Sequence, residues 1–223
     1  MIITIDGPVA SGKSTIARVI AQELGFFYIN SGLLFRACAH ILMRDGHLSV
    51  GQLARVSPDQ LALIDFEQLH YVFDDGKEQV IYVGANITYE LRSDVVALAA
   101  SIIATNTVLR AIILSYERLL ATHNKQVIVD GRDSGSTVFP NAELKIYLTA
   151  KPMVRAKRWQ LDQEKRGVKL SVTQALDEVN ARDARDKNRS IAPLVQPAGA
   201  QVIDSSELSI KEAVQVIKNL ITH

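Results

Sequence analysis

Apolar positions along the chain switch repeatedly between two periods. Residues 1–5 form a short run, Met1-Ile2-Ile3-Thr4-Ile5, rich in β-branched side chains and fit for a strand buried on both faces. Over residues 13–24 the period changes, and Ile16, Val19, Ile20 and Leu24 fall on one helical stripe. Residues 26–29 read as a second strand, followed at Asn30-Ser31-Gly32 by a helix running to about Arg44. Ser57 is an N-cap, with Pro58 at the first helical position and Gln60 closing a capping box. Two apolar runs, residues 69–73 and 80–83, flank Asp74-Asp75-Gly76-Lys77 and predict a hairpin. Helices are expected over 89–104 and 107–123, and strands over 126–129 and 144–148. Pro152 opens a helix to about Lys165, which Arg166-Gly167-Val168 breaks. Ser171 and Gln174 form a second capping box for a helix to about Asn188. A last strand, 201–203, precedes a helix capped by Ser209 and Glu212.

Strands alternating with helices predict an α/β fold, with a parallel five-stranded sheet covered by helices and ligands at the strands' carboxyl ends. A hairpin inside that alternation predicts a small inserted lobe, residues 46–87. With 223 residues the chain can bury one such domain with an appendage, so 1–223 is read as a single domain.

Composition narrows the function classes. A net charge of +1 argues against bulk nucleic-acid binding by charge alone. The charge is uneven, however: residues 151–189 carry eleven Lys/Arg against six Asp/Glu, a surplus suited to binding phosphate. Cys38 is the single cysteine, which excludes an internal disulfide and a cysteine-based zinc site; its apolar neighbours make it a packing residue. The chain enters its first strand directly and has no apolar run near ~18 residues, so a soluble, cytoplasmic protein without membrane partners is expected.

The candidate chemistry begins at Gly7-Pro8-Val9-Ala10-Ser11-Gly12-Lys13-Ser14, which fits G-x-x-x-x-G-K-[ST] and is followed by Thr15. Strand, glycine turn and helix N-terminus in that order gather backbone N–H groups and the positive end of a helix dipole around one point. Lys13 can reach the β- and γ-phosphates of a nucleoside triphosphate, and the Ser14 hydroxyl can ligate Mg²⁺. This signature predicts ATP binding. Asp130, at the end of an apolar strand in the same sheet, is placed to orient Mg²⁺ or its waters, with Arg132 and Asp133 in the same cleft. Ser31, Gly32 and Arg36 make a second anion site or, equally, an ordinary helix cap with a surface arginine. Arg182, Asp186 and Arg189 share a narrow helical stripe, as would an Arg–Asp pair on a solvated face. Arg155 and Arg158 open the basic helix, where exposed charge on a mobile lid, residues 152–170, would close over phosphate and exclude water. Trp159 and Leu161 read as packing. A GTP-dependent switch needs a base-reading N-K-x-D, and Asn124-Lys125-Gln126-Val127 lacks the Asp.

Taken together, these segments resemble the bacterial cytidylate kinases of the nucleoside monophosphate kinase family, over almost the whole length. The resemblance rests on residues 5–15, Asn30-Ser-Gly-Leu-Leu-Phe-Arg36, Asp130-Gly-Arg-Asp-Ser-Gly135 with Val138-Phe-Pro140, and Arg182-Asp-Ala-Arg-Asp-Lys-Asn-Arg189 leading to Ala192-Pro-Leu194. It implies a P-loop kinase that transfers the γ-phosphoryl group of ATP, with Mg²⁺, to CMP or dCMP, acting as a monomer. Ser31, Arg36, Ser101, Arg110, Asp133, Asp186 and Arg189 would then line the CMP site. Within it the resemblance puts Ser101, Arg110 and Asp133 on the cytosine, Asp186 and Arg189 on the ribose, and Arg36 and Arg132 on the phosphate. Lys13, Arg158 and Arg182 would surround the phosphoryl group in flight. Cytosine offers an amino donor beside two acceptors, so its site needs a carboxylate or hydroxyl plus a guanidinium. Ser101 and Arg110 lie in helices that otherwise read as core. The chain departs from the family pattern at Asn30, Phe35 and Ser134, where Asp, Tyr and Met are common. The nearest alternatives are another monophosphate kinase, for UMP or AMP, and more remotely shikimate kinase.

Overall fold

The computed structural model describes residues 1–222. The N-terminal apolar run forms β1 (Ile2–Asp6), and the P-loop leads into α1 (Lys13–Leu24). Then follow β2 (Phe27–Asn30), α2 (Ser31–Arg44) and a single helical turn, α3 (Pro58–Leu61). The insert contains β3 (Leu69–Asp74), β4 (Lys77–Tyr82) and β5 (Ala85–Asn86). Helices α4 (Asp94–Ile103) and α5 (Thr107–Thr122) lead to β6 (Val127–Gly131) and β7 (Leu144–Thr149). The chain continues through α6 (Pro152–Lys165), α7 (Val172–Lys187) and β8 (Gln201–Asp204) to α8 (Ile210–Thr222).

The main sheet has the order β2-β6-β1-β7-β8, and every pairing is parallel. Its central strand is the one that feeds the P-loop. Ile3 and Ile5 are completely buried, each contributing about 2 kcal/mol by leaving water. One face packs on α1 and α8 through Ile16, Ile20, Val214 and Ile217. The other shares a core with α2, α4, α5 and the insert through Leu34, Ile41, Leu91 and Ile103. Cys38 lies fully buried there, as its neighbours imply, and burial pushes its thiol up to about 12.

Both capping boxes form, at Ser57–Gln60 and Ser171–Gln174, and Ser209 and Glu212 make the same reciprocal pair before α8. The hairpin forms with the expected turn, but a third strand, β5, extends it into a separate antiparallel sheet. The helix expected over 89–104 is divided. Residues Glu90–Arg92 make a 3₁₀ turn, and the Ser93 hydroxyl accepts from Val96 N–H to start α4 afresh. No single helix among the described residues is long and apolar enough to cross a membrane.

Gly7 lets β1 turn into the P-loop. Its φ is +150°, and a Cβ there would stand 2.0 Å from the Leu148 carbonyl oxygen of β7, backbone that cannot swing away. Gly7→Ala is therefore expected to cost about 3 kcal/mol, lowering the melting temperature by roughly 6–12 °C. A calorimetric melt unchanged from wild type would contradict that close approach.

Candidate active site

At the carboxyl end of β1 the P-loop closes on itself. Ala10 has φ 57° and Gly12, which caps α1, has φ 99°. The Ser11 hydroxyl and Lys13 Nζ both donate to the Pro8 carbonyl, at 3.0 and 2.7 Å. The Val9 N–H donates to Asp183 Oδ1 at 3.0 Å, tying the loop to α7. Residues 9–15 line a cavity of about 710 Å³, which Gly7 and Pro8 do not border. Arg36, Arg132, Arg158 and Arg182 line the same cavity. Burial, with Arg132 beside it, holds the Lys13 ammonium well below the usual lysine range. Burial, then Arg132 and Arg36, brings Arg182 down to about 9, and its Nε is buried without a partner. Lys13 and these guanidiniums give the cavity a strongly positive lining, the kind of field that attracts phosphate.

Ser14 Oγ donates to Asp130 Oδ2 at 2.6 Å, and Tyr28 donates to the other carboxylate oxygen at 2.7 Å. Ser14 and Asp130 therefore present two hard oxygen donors side by side on the cavity floor, the type of set Mg²⁺ takes beside phosphates and water. Among the described residues no cluster of three or more His, Cys, Asp or Glu offers a metal cage.

A second cavity, of about 200 Å³, is lined by Ser31, Phe35, Arg110, Glu117 and Asp133 among others. It abuts the first: Gly32 and Arg132 line the large cavity while their neighbours Ser31 and Asp133 line the small one. Arg110 Nη2 is ion-paired with Asp133, its Nη1 donates to the Ala104 carbonyl at 3.0 Å, and its guanidinium lies 5.4 Å over the Phe35 ring. Phe35 thus serves as a platform for the arginine.

The remaining expected residues divide. Arg132 Nε donates to Asp186 at 2.7 Å, joining the loop after β6 to α7. The expected helical stripe stops at Asp186, which is buried on α7; Arg189 falls just past the helix end, its Nη2 buried without a partner. Asp186 and Arg189 line neither cavity. Nor does Ser101, whose hydroxyl accepts from Arg185 Nε at 3.2 Å. Arg158 borders the large cavity, but its guanidinium donates to the carbonyls of Ser11 and Ser205.

Two expectations need correction. Arg155 is not an exposed lid charge: it is buried and donates to Asp183 at 2.5 Å and to the Val9 carbonyl at 3.2 Å. Its role is to brace the P-loop against α6 and α7. Trp159 and Leu161 do not pack in a core. Both line the large cavity, Leu161 is 56% exposed, and the Trp159 Nε1–H donates to Glu178 at 2.7 Å. Asn30, where Asp is common, caps α2 by accepting from Leu33 N–H at 3.1 Å. Ser134 is buried with its hydroxyl unpartnered.

Two acids went unread in the sequence. Asp6, at the end of β1, accepts from Ser134 and Gly135 N–H at 2.8 and 2.7 Å, shaping the loop that carries Arg132 and Asp133. Burial raises it to about 6 despite those bonds. Glu117 on α5 is 1% exposed and raised to about 8, chiefly by burial. Both acids hold protons in the folded chain that the unfolded chain has released. Their stabilising contribution is complete below the unfolded carboxyl range and lost as pH rises, through about 6 for Asp6 and about 8 for Glu117. Wild type should therefore lose more melting temperature between pH 5 and pH 8 than Glu117→Gln does, by about 4 °C or more. Parallel calorimetric pH curves would contradict a buried proton at Glu117.

The cytidylate kinase family model matches residues 3–223. The chain is 35% identical over 217 residues to a cytidylate kinase of Actinobacillus succinogenes, spanning 96% of this chain and 95% of that one. It is 36% identical over 221 residues to a cytidylate kinase of Halalkalibacterium halodurans, spanning 97% and 95%. An uncharacterized protein from Eubacterium ventriosum shares the fold, with a TM-score of 0.54, 13% identity, and coverage of 100% of this chain and 98% of that one. With the motif-bearing segments gathered around one crevice and the family match running nearly end to end, the chain belongs to the cytidylate kinase family.

Proposed function

We propose that this nucleoside monophosphate kinase transfers the γ-phosphoryl group of ATP to CMP or dCMP, giving ADP and CDP or dCDP. The observation that carries the reading is the junction of the two cavities. A P-loop with Lys13 faces Arg36, Arg132 and Arg182 in the larger, and the Arg110–Asp133 pair lines the smaller beside it. Triphosphate fits the amide nest, the acceptor phosphate fits the facing guanidiniums, and a pyrimidine ring fits the small cavity.

In this reading an acceptor phosphate oxygen attacks the γ-phosphorus in line. It needs no general base, because a phosphate monoester with second pKa ≈ 6 is largely dianionic at pH 7. The difficulty is bringing two anions together, and Lys13, Arg132 and Arg182 offset that repulsion and stabilise charge in a loose transition state. Ser14 and Asp130 would hold Mg²⁺, which when bound neutralises charge on the donor phosphates. Asp186 acts by steadying Arg132. Asp186 and Arg189 would meet the ribose, and Ser101 the base, once Arg185 and Arg132 exchange protein partners for nucleotide.

Residues 1–223 act as one domain and one monomer, with 46–87 as the inserted part of the acceptor lobe and 152–170 as the lid. The lid's tip bears on the acceptor lobe: Gln163 Nε2 and Arg166 Nη1 each donate to Asp94 at 3.1 Å. Release of that clasp would open the crevice, leaving Arg155 as the anchor. The cytoplasm, which supplies both nucleotides, is the compartment this reading implies.

ADP release assayed with CMP, dCMP, UMP, AMP and shikimate tests the assignment. CMP or dCMP should give by far the largest kcat/KM, with CDP or dCDP formed in step with ADP; preference for AMP, UMP or shikimate overturns it. Within the same assay Arg110→Ala should raise the KM for CMP more than tenfold and erode preference over UMP. It strands Asp133 in a buried site, which costs about 3–5 kcal/mol. Unchanged discrimination would remove Arg110 from the base site.

A further inference from the structure

Glu117 is out of place among the groups it touches. It stands seven residues after Arg110 on α5, ~two helical turns away and on the same face. Both side chains line the small cavity. Ser31 lines the cavity beside its carboxyl group, while Oε1 is fully buried with no partner. A buried carboxyl oxygen left unsatisfied is unfavourable unless something arrives to satisfy it. The charged groups around it are Asp133 in the loop after β6, Arg110 on its own helix and Asp6 from β1. Arg110 is already committed to Asp133 and the Ala104 carbonyl.

We propose that Glu117 is a specificity-determining residue of the acceptor site, its carboxyl group turning into the small cavity to take an N–H of the exocyclic amino group of an aminopyrimidine bound there. This rests on the CMP assignment above and deepens it. The cavity, at about 200 Å³, falls below the ~300 Å³ of ordinary ligand pockets and suits one ring. An exocyclic amino group has two N–H donors, and Asp133 and Glu117 offer one acceptor for each. A uracil ring presents an oxo group at that place and faces two acceptor oxygens instead.

Protonation gives the proposal a distinct signature. As a neutral acid, Glu117 can turn its O–H toward an oxo group and so tolerate uracil; as a carboxylate it cannot. Burial holds the proton up to about 8. The CMP-to-UMP ratio of kcat/KM should therefore rise as pH passes from 6.5 to 8.5, and ionisation of the acceptor phosphate cancels in that ratio.

The experiment measures this ratio across that pH range for wild type, Glu117→Met and Glu117→Gln, with melting temperature as a folding control. At pH 8.5 Glu117→Met should lower the ratio about tenfold, the worth of one buried hydrogen bond, chiefly through the KM for CMP. Glu117→Gln offers both an oxygen and an N–H, as the neutral acid does, so it should hold the ratio near the wild-type value of pH 6.5 at every pH. A purely structural role would lower CMP and UMP turnover by the same factor, and an unchanged ratio in Glu117→Met overturns the proposal. Should Glu117→Met fail to fold, a wild-type ratio as flat with pH as that of Glu117→Gln overturns it equally. A wild type inactive on both pyrimidine nucleotides sinks the CMP assignment and this proposal together; one active on CMP with an unaltered variant ratio sinks this proposal alone.

Discussion

Replacing Arg182 by alanine is expected to lower kcat about a thousandfold, in the range of transition-state charge stabilisers, and to leave the KM for ATP within about threefold. The guanidinium lines the same cavity as the P-loop, crowded by Arg132 and Arg36. A donor already held by the amide nest gains little from it in the ground state. Charge that builds on the phosphoryl group in transit gains much, and only that difference appears in kcat. Removing one cation from a crowded set should not harm folding, so an unshifted melting temperature must accompany the kinetic loss. Steady-state rates with ATP and CMP varied independently decide the matter. Unchanged kcat would place Arg182 outside the cluster that handles the transferred group.

Lys13→Ala should behave differently, losing about a thousandfold or more in kcat/KM for ATP through weaker binding as well as slower turnover. Here the side chain is 5% exposed and curls under the loop to the Pro8 carbonyl and, at 3.3 Å, the Ser11 hydroxyl. A triphosphate would draw Nζ from those partners and restore its full charge. Lys13→Arg should not rescue activity, because a planar fork cannot fill a nest shaped around a compact ammonium. Calorimetric titration with a non-hydrolysable ATP analogue separates binding from turnover. An unchanged dissociation constant would mean that Lys13 does not touch the donor phosphates.

Local signals in the sequence carried the frame of this molecule. Strand periodicity, the capping residues and the glycine turn act over a few neighbours, and the five-stranded parallel sheet with its hairpin insert follows from them. Two-residue β5 is too short to show a period. The break before α4 depended on whether Ser93 would cap a new helix or lie inside a longer one, which propensity alone does not decide. The candidate site could be grouped from the sequence where residues share a turn, as in the P-loop; at Ser31 and Arg36 the sequence left an anion site and a plain helix cap equally open. It was illegible where partners lie far apart in sequence. Arg155 reads as one more charge on a basic helix until Asp183 and the Val9 carbonyl meet it. Asp6 ends an apolar strand just as Asp130 does, so the same argument could have found it. Glu117 had a fainter signal: a charge on the helical face of Arg110, in a helix whose inward residues are otherwise Leu109 and Ile113.

The central claim is that donor and acceptor phosphates meet inside one crevice, between the glycine nest and the arginine face. A crystal structure with a non-hydrolysable ATP analogue and CMP bound together tests it most directly. The account predicts an acceptor phosphate oxygen ~3–3.5 Å from the γ-phosphorus and in line with the bond to be broken, with Lys13, Arg132 and Arg182 around the junction. An acceptor phosphate lodged elsewhere, with those three side chains turned away from it, would contradict the account.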